Sequence, residues 1–137
     1  MKNIYIPKKF YKIPYNSHNF PNNDKQIDIK DGANCQFFVY TLLEYFGYPK
    51  LTFRSSELFD DKEETINVSN AEVFDIIMFN NVDKSYGAHL GLYIGKDKVI
   101  HLSKEVGLPS IWTFSNFNNT DKYCKIVGIK RVKKHAK

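Results

Sequence analysis

Long apolar runs are missing from this sequence. No stretch approaches the roughly 18 consecutive apolar residues of a membrane span, and the opening MKNIYIPKKFYKIPY has no uninterrupted apolar run of signal-peptide length. The expectation is a chain with no membrane span, cytoplasmic as written, that reaches an extracellular substrate only by non-classical export or by phage or lysis delivery. Cysteine is scarce too: Cys35 and Cys124 allow at most one disulfide, whereas small secreted domains stapled by bridges carry more. A reducing compartment is the simpler setting. The sequence lacks CxxC, HExxH and any phosphate-cradling glycine loop, so no metal and no cofactor is expected. Internal repeats and low-complexity tracts are absent as well, and 137 residues suit a single domain over 1–137.

What is present describes a folded chain. Hydrophobic residues make up 42% and charged residues 26%, far from the balance of disordered chains. The formal charge is +5, with Lys130, Arg131, Lys133, Lys134, His135 and Lys137 crowding the end. We read 130–137 as a solvated basic tail, and in the absence of an RNA-binding or helix-turn-helix signature no nucleic-acid partner is expected. Residues 1–33, punctuated by Pro7, Pro14 and Pro21, read as an extended lead-in of arms and turns.

From Asn34 to Phe46 the apolar spacing is helical, with Cys35, Val39, Leu42, Leu43 and Phe46 on one face. Asn34 suits the N-cap and Gly47 the position past the end. Phe37, Phe38 and Tyr45 widen the apolar surface, as expected of a central helix. Residues 53–65 predict a second, short helix capped by Ser55 or Ser56. Beyond it come five β-rich runs, at 73–79, 89–95, 98–103, 110–114 and 123–132. Helix first and strands afterwards predict an α+β domain, the helix packed on an antiparallel sheet of about five strands.

Cys35 falls where the helix begins. A helix N-terminus lowers a thiol's pKa through its free N–H groups and macrodipole, and the thiolate is the nucleophile. Farther along, an even separation puts His89 and His101 on one side of the sheet, and a turn centred on Gly95 sets them directly opposite, about 5 Å apart at Cβ. A thiol nucleophile needs an imidazole to take its proton and a third polar group to orient that imidazole. His89 and His101 suit these roles, and the N–H of Cys35 suits an oxyanion donor. Plainer readings exist: a small buried hydrophobe for the cysteine, satisfied structural groups for the histidines. Residue types and spacing leave both open.

The blocks NCQFFV and HLGLYIGKDKVIHLS, with FDIIMF before them, resemble the signature blocks of the NlpC-type cysteine peptidases, a papain-like superfamily of cell-wall hydrolases. The resemblance implies a papain-like fold in which Cys35 is the nucleophile, His89 the base and His101 the orienting residue. It also implies an upstream tyrosine near the nucleophile, for which Tyr15 and Tyr11 are candidates. Members that cut γ-D-glutamyl bonds read D-C-S around the nucleophile, with Asp and Ser helping to hold a substrate amine; here Asn34 and Gln36 stand in those places. NCQFFV also resembles the N-C-E-H-F block of lecithin retinol acyltransferases, whose chain order is permuted. Asn34, Gln36, Tyr15 and Arg54 are thus candidate substrate-binding residues, though Arg54 suits a helix terminus equally well. Trp112 and Cys124 read as packing residues and Asp75 as a strand-start residue that binds no metal. The expected function is a cysteine hydrolase acting on a peptide or amide substrate. An acyltransferase or thioesterase on the same triad, and a non-catalytic binding domain, are the alternatives. Nothing in the sequence sets the oligomeric state.

Overall fold

The computed structural model describes residues 4–25 and 27–134. Asn34 accepts the backbone N–H of Phe37 through its side-chain oxygen at 2.9 Å and so caps α1, Cys35–Tyr45. Gly47 follows in the left-handed region at φ 94° and ends the helix as the sequence predicts. Between these caps, Phe38, Val39, Tyr40, Leu42 and Leu43 are buried on more than one side, which makes α1 the central helix.

The fold is α+β. Among the described residues the α-helices and strands follow the chain as α1, α2 (Ser55–Asp60), β1 (Thr65–Asn67), β2 (Ile76–Asn80), β3 (His89–Gly95), β4 (Lys98–His101), β5 (Ser110–Trp112), α3 (Phe114–Asn118) and β6 (Lys125–Val132). The strands form one antiparallel sheet in the order β1-β6-β2-β3-β4-β5. One face carries Ile76, Met78, Leu90, Leu92 and Ile100 into a core shared with α1. The other carries Ile77, Phe79 and Val99 into a second core with Phe117 of α3, ringed by Tyr93, Trp112 and Tyr123. Because both faces are covered, Ile76–Phe79 reads as an unbroken apolar run instead of alternating.

The sheet has six strands where about five are expected. The additional one, β1, is too short to show a period. Side chains pull it in: Asp61 accepts the backbone N–H and the hydroxyl of Thr65, each at 2.8 Å. Lys130, fully buried, donates from Nζ to Asp61 O and Asn67 Oδ1 at 2.7 Å and to Phe59 O at 3.3 Å. The reading of 130–137 as a basic tail is therefore corrected. Lys130 and Arg131 belong to β6, and Arg131 holds Asp75 through Nε at 2.9 Å and Nη2 at 2.8 Å. Lys133 donates its backbone N–H to Glu64 O at 2.9 Å and Lys134 sits over the Tyr48 ring. His135 and Lys137 lie outside the described residues.

The lead-in is likewise more than extended chain. It contains short 3-10 turns at Lys8–Lys12 and Ile29–Asp31 and delivers Ile6, Phe10 and Ile13 to the main core. Buried Asn19 donates to Gly32 O at 2.8 Å and Ile27 O at 3.0 Å, tying the lead-in to the approach of α1. In α2 the cap is not a serine. Arg54 is the N-cap residue, and Glu57 accepts its backbone N–H at 2.8 Å. Ser55 is instead the buried first residue of that helix.

Candidate active site

A β-strand sends alternate side chains to opposite faces, so His89, Gly91 and Tyr93 belong to the aromatic face, away from α1. The thiol and the imidazole nevertheless share a cleft, because each lies at the first residue of its element: Cys35 opens α1 and His89 opens β3. Both line a cleft of about 350 Å³ whose other walls include Ala88, Glu105, Lys122 and Tyr123. The sulfur faces the backbone N–H groups of Leu90, Gln36 and Cys35 itself.

The two histidines are not directly opposite. The β3–β4 hairpin turns through Lys96 and Asp97, both left-handed at φ 54° and 62°, which is the two-residue turn matched to strand twist. The register then shifts between Tyr93 and Gly95, so that His101 faces Gly91 and His89 faces Phe79 on the other neighbouring strand. The histidines meet on the diagonal. His89 Nε2 lies 2.8 Å from His101 Nδ1, with the rings edge to face. Gly91 makes this crossing possible: a Cβ there would lie 2.5 Å from Val99 Cγ1 and 3.5 Å from His101 Cβ. His101 is fully buried, packed edge-on to Trp112 at 4.4 Å and against Phe117 at 4.6 Å. Its Nε2 has no hydrogen-bond partner among the described residues. On the outer side Tyr123 stacks on His89 with centroids 4.4 Å apart.

Cys35 and the two histidines are held toward their uncharged forms. Burial, followed by the neighbouring His101, holds His89 down at about 3, and burial holds His101 at about 4. Burial pushes the Cys35 thiol up, against the three N–H groups and the more distant Arg54 charge, which pull it down. An uncharged imidazole can accept a proton, and a thiol among N–H donors has its thiolate stabilised once formed.

The sequence profile described as the NlpC/P60 family matches residues 20–127. The chain belongs to the NlpC/P60 family. A protein named murein DD-endopeptidase MepS/murein LD-carboxypeptidase from Escherichia coli strain K12 is 32% identical over 82 residues, covering 58% of this chain and 40% of that protein. The protein of that name from Escherichia coli O157:H7 matches with the same figures. The chain spans about two fifths of the length of these curated relatives. The crystal structure of an NlpC/P60 family protein from Bacillus cereus ATCC 10987 superimposes with a TM-score of 0.62 at 20% identity, over 90% of this chain and 36% of that one. The papain-like α+β fold is thus shared with that family.

The remaining NlpC/P60 candidates fall into two groups. Tyr15 lies within electrostatic reach of Cys35: burial raises its phenol, and the charges of Cys35 and Glu105 raise it further. The Tyr15 backbone donates to Gly107 O at 2.8 Å. Asn34 flanks the thiol but spends its side-chain oxygen on capping. Gln36 is buried with Oε1 unpartnered among the described residues. Arg54 is not among the residues lining the Cys35–His89 cleft, its guanidinium lying 4.8 Å from the Phe20 ring, yet its charge reaches the thiol. Tyr11 lines a different surface with Ile94 and Ile111. Trp112 packs in the second core, half-buried Cys124 lines an apolar hollow with Phe79 and Phe117, and Asp75 is held by Arg131. Sequence reasoning missed Glu105, Lys122 and Tyr123. Glu105 and Lys122 lie in turns with no periodic or motif signal, Tyr123 ends a 3-10 turn over Asp121–Tyr123 where the sequence predicts the start of a strand, and only closure of the chain brings them to His89.

Proposed function

We propose that the chain is a cysteine hydrolase that cleaves an amide bond in a murein peptide, with Cys35 as nucleophile, His89 as general base and acid, and His101 as the residue that orients His89. The observation that carries this reading is that Cys35 and His89 line one cleft while His89 Nε2 is committed to His101 at 2.8 Å. Nδ1 of His89 is then the nitrogen left for the thiol. For Nδ1 to accept a proton, Nε2 must carry one and donate it to His101 Nδ1. His101 is then protonated on its own Nε2, against the Trp112 and Phe117 rings, where an N–H finds a weak aromatic partner.

The Cys35 proton passes to Nδ1 as Sγ bonds to the carbonyl carbon. The carbonyl oxygen takes the negative charge. As the first residue of α1, Cys35 has no acceptor inside the helix for its N–H, which is free to donate to that oxyanion. The C–N bond then breaks, and His89 returns the proton to the departing amine, leaving a thioester. Water attacks the thioester and gives its proton to His89. The C–S bond breaks and the thiol is restored. The relatives are named for murein endopeptidase and carboxypeptidase activities, and that supports murein peptide as the substrate.

The experiment is digestion of purified muropeptides, with Cys35→Ala as control, alongside iodoacetamide labelling of Cys35 at neutral pH. We expect cleavage to vanish in Cys35→Ala and His89→Ala to slow alkylation. Cleavage by Cys35→Ala, or alkylation indifferent to His89→Ala, overturns the reading.

A second reading, acyl transfer or thioester hydrolysis on the same residues, is favoured by one observation. Asn34 is uncharged and engaged in capping, so no carboxylate flanks the nucleophile to hold a substrate ammonium. Its signature is a long-lived acyl-enzyme seen by mass spectrometry with thioester substrates.

A further inference from the structure

His89 is restrained on two sides, and the chemistry above uses only one of them. Its ring face carries Tyr123, stacked at 4.4 Å and inclined by 26°. The Tyr123 hydroxyl donates to Glu105 Oε1 at 2.5 Å, and Lys122 Nζ holds Glu105 Oε2 at 2.6 Å. A chain of contacts thus runs from the imidazole through a phenol to a carboxylate and its ammonium partner. His101 cannot supply a counter-charge, since it is itself a neutral ring in an apolar setting.

The titratable and charged groups facing the His89 region come from five places. Cys35 comes from α1 and His101 from β4. Lys104 and Glu105 come from the turn after β4, and Lys122 and Tyr123 from the turn before β6. Tyr15 approaches from the lead-in, near Cys35 and Glu105. Among these groups Glu105 is the carboxylate. Its charge favours protonated His89 against the opposing effects of burial and His101, and its two hydrogen bonds keep its own pKa near 2, ionised at any working pH.

Resting on the reading of His89 as the site's base, we infer that Tyr123 is a positioning residue for His89, and that Glu105 is the remote counter-charge for the imidazolium formed when Cys35 gives up its proton. The tyrosine face stacked on the ring also favours that cation, as aromatic faces do. Lys122 sets the strength of the device by offsetting part of the Glu105 charge. The pair is exposed enough for solvent to weaken it, so the effect is a tuning of His89 and not the whole of its basicity.

The test is a titration of His89 in the full chain, followed by NMR through its carbon-bound ring protons, in four variants with melting temperature as the folding control. Glu105→Gln keeps a partner for the phenol but removes the charge, and shifts the midpoint down by about half a pH unit. Lys122→Met leaves the carboxylate uncompensated and shifts it up. Tyr123→Phe keeps the stack and loses the tether, falling between wild type and Glu105→Gln. Tyr123→Leu removes the stack and lowers kcat about tenfold or more with KM little changed. A merely structural role would move melting temperature without opposite shifts in the titration. The inference is overturned if Glu105→Gln and Lys122→Met leave the midpoint unmoved or shift it in the same direction. This readout needs no substrate, so it can fail while Cys35 still hydrolyses amides, and it can hold if the true reaction is acyl transfer.

Discussion

The two faces of the sheet are made of different materials. Toward α1 lie Ile76, Met78, Leu90, Leu92 and Ile100, aliphatic or thioether side chains that interlock with Phe38, Val39 and Leu42. Toward α3 lie Phe79, Phe117, Trp112 and Tyr123, flat rings with two histidines among them. The first face is held mainly by close packing of carbon, and its buried polar groups, Tyr40 and Lys130, are tied to backbone oxygens. The second uses stacking and edge-to-face contacts that exclude water yet give imidazole nitrogens something other than hydrocarbon to meet. The division teaches that stability and chemistry are separated by the thickness of one strand, with His89 and Leu90 as neighbours that point opposite ways.

The comparison breaks most sharply if one side chain is removed from each face. Leu42→Ala is expected to cost about 2–5 kcal/mol of stability while sparing activity per folded molecule. His89→Ala should fall mainly on catalysis, lowering kcat about 10²–10⁴-fold with a smaller loss of stability, about 1–3 kcal/mol, from the unpartnered His101 Nδ1 it leaves. Denaturant titration and initial rates on the same samples distinguish the two. Gly91→Ala comes next. It drives a methyl to 2.5 Å from Val99 Cγ1, at an overpacking cost of about 1–3 kcal/mol, and it should lower kcat as well because Gly91 lies opposite His101.

Acid sharpens the contrast further. Both histidines have folded pKa values held below the ordinary 6.5, near 3 for His89 and 4 for His101. Between about pH 6.5 and 3 the unfolded chain therefore binds more protons than the folded one. Their contribution to stability is complete above pH 6.5 and is lost as pH falls through that window. Thermal melts from pH 7.5 to 4.5 should show a falling midpoint, and His101→Phe should flatten the dependence. The smallest effect belongs to the helix terminus. Asn34→Ala costs about 1 kcal/mol through the lost cap, whereas Asn34→Asp keeps it.

How much of this was legible depends on the range of the interaction. The caps of α1, the span of β3 and the shared side of His89 and His101 could be read directly, because each follows from a local period or a residue's own backbone preference. The register of the histidines could not. It turns on two left-handed residues, Lys96 and Asp97, that are not the usual Asn-Gly pair. Strand β1 was invisible because its stability comes from Asp61 and from Lys130, which is distant in sequence. Lys130 itself looked like surface charge, since nothing local signals that three oxygens will surround it. Glu105 and Tyr123 were hidden for the same reason.

The strand order has a consequence for how the molecule comes into being. β6 is the last strand among the described residues, yet it lies inside the sheet, between β1 and β2. During synthesis the sulfur of Cys35 leaves the ribosome early and the ring that stacks on His89 leaves late. Until Val132 is out, β2 offers a bare edge and the cleft lacks a wall. Such long-range closure is slow to form. Translation thus delivers Cys35 and His89 before the strand that closes the sheet around them.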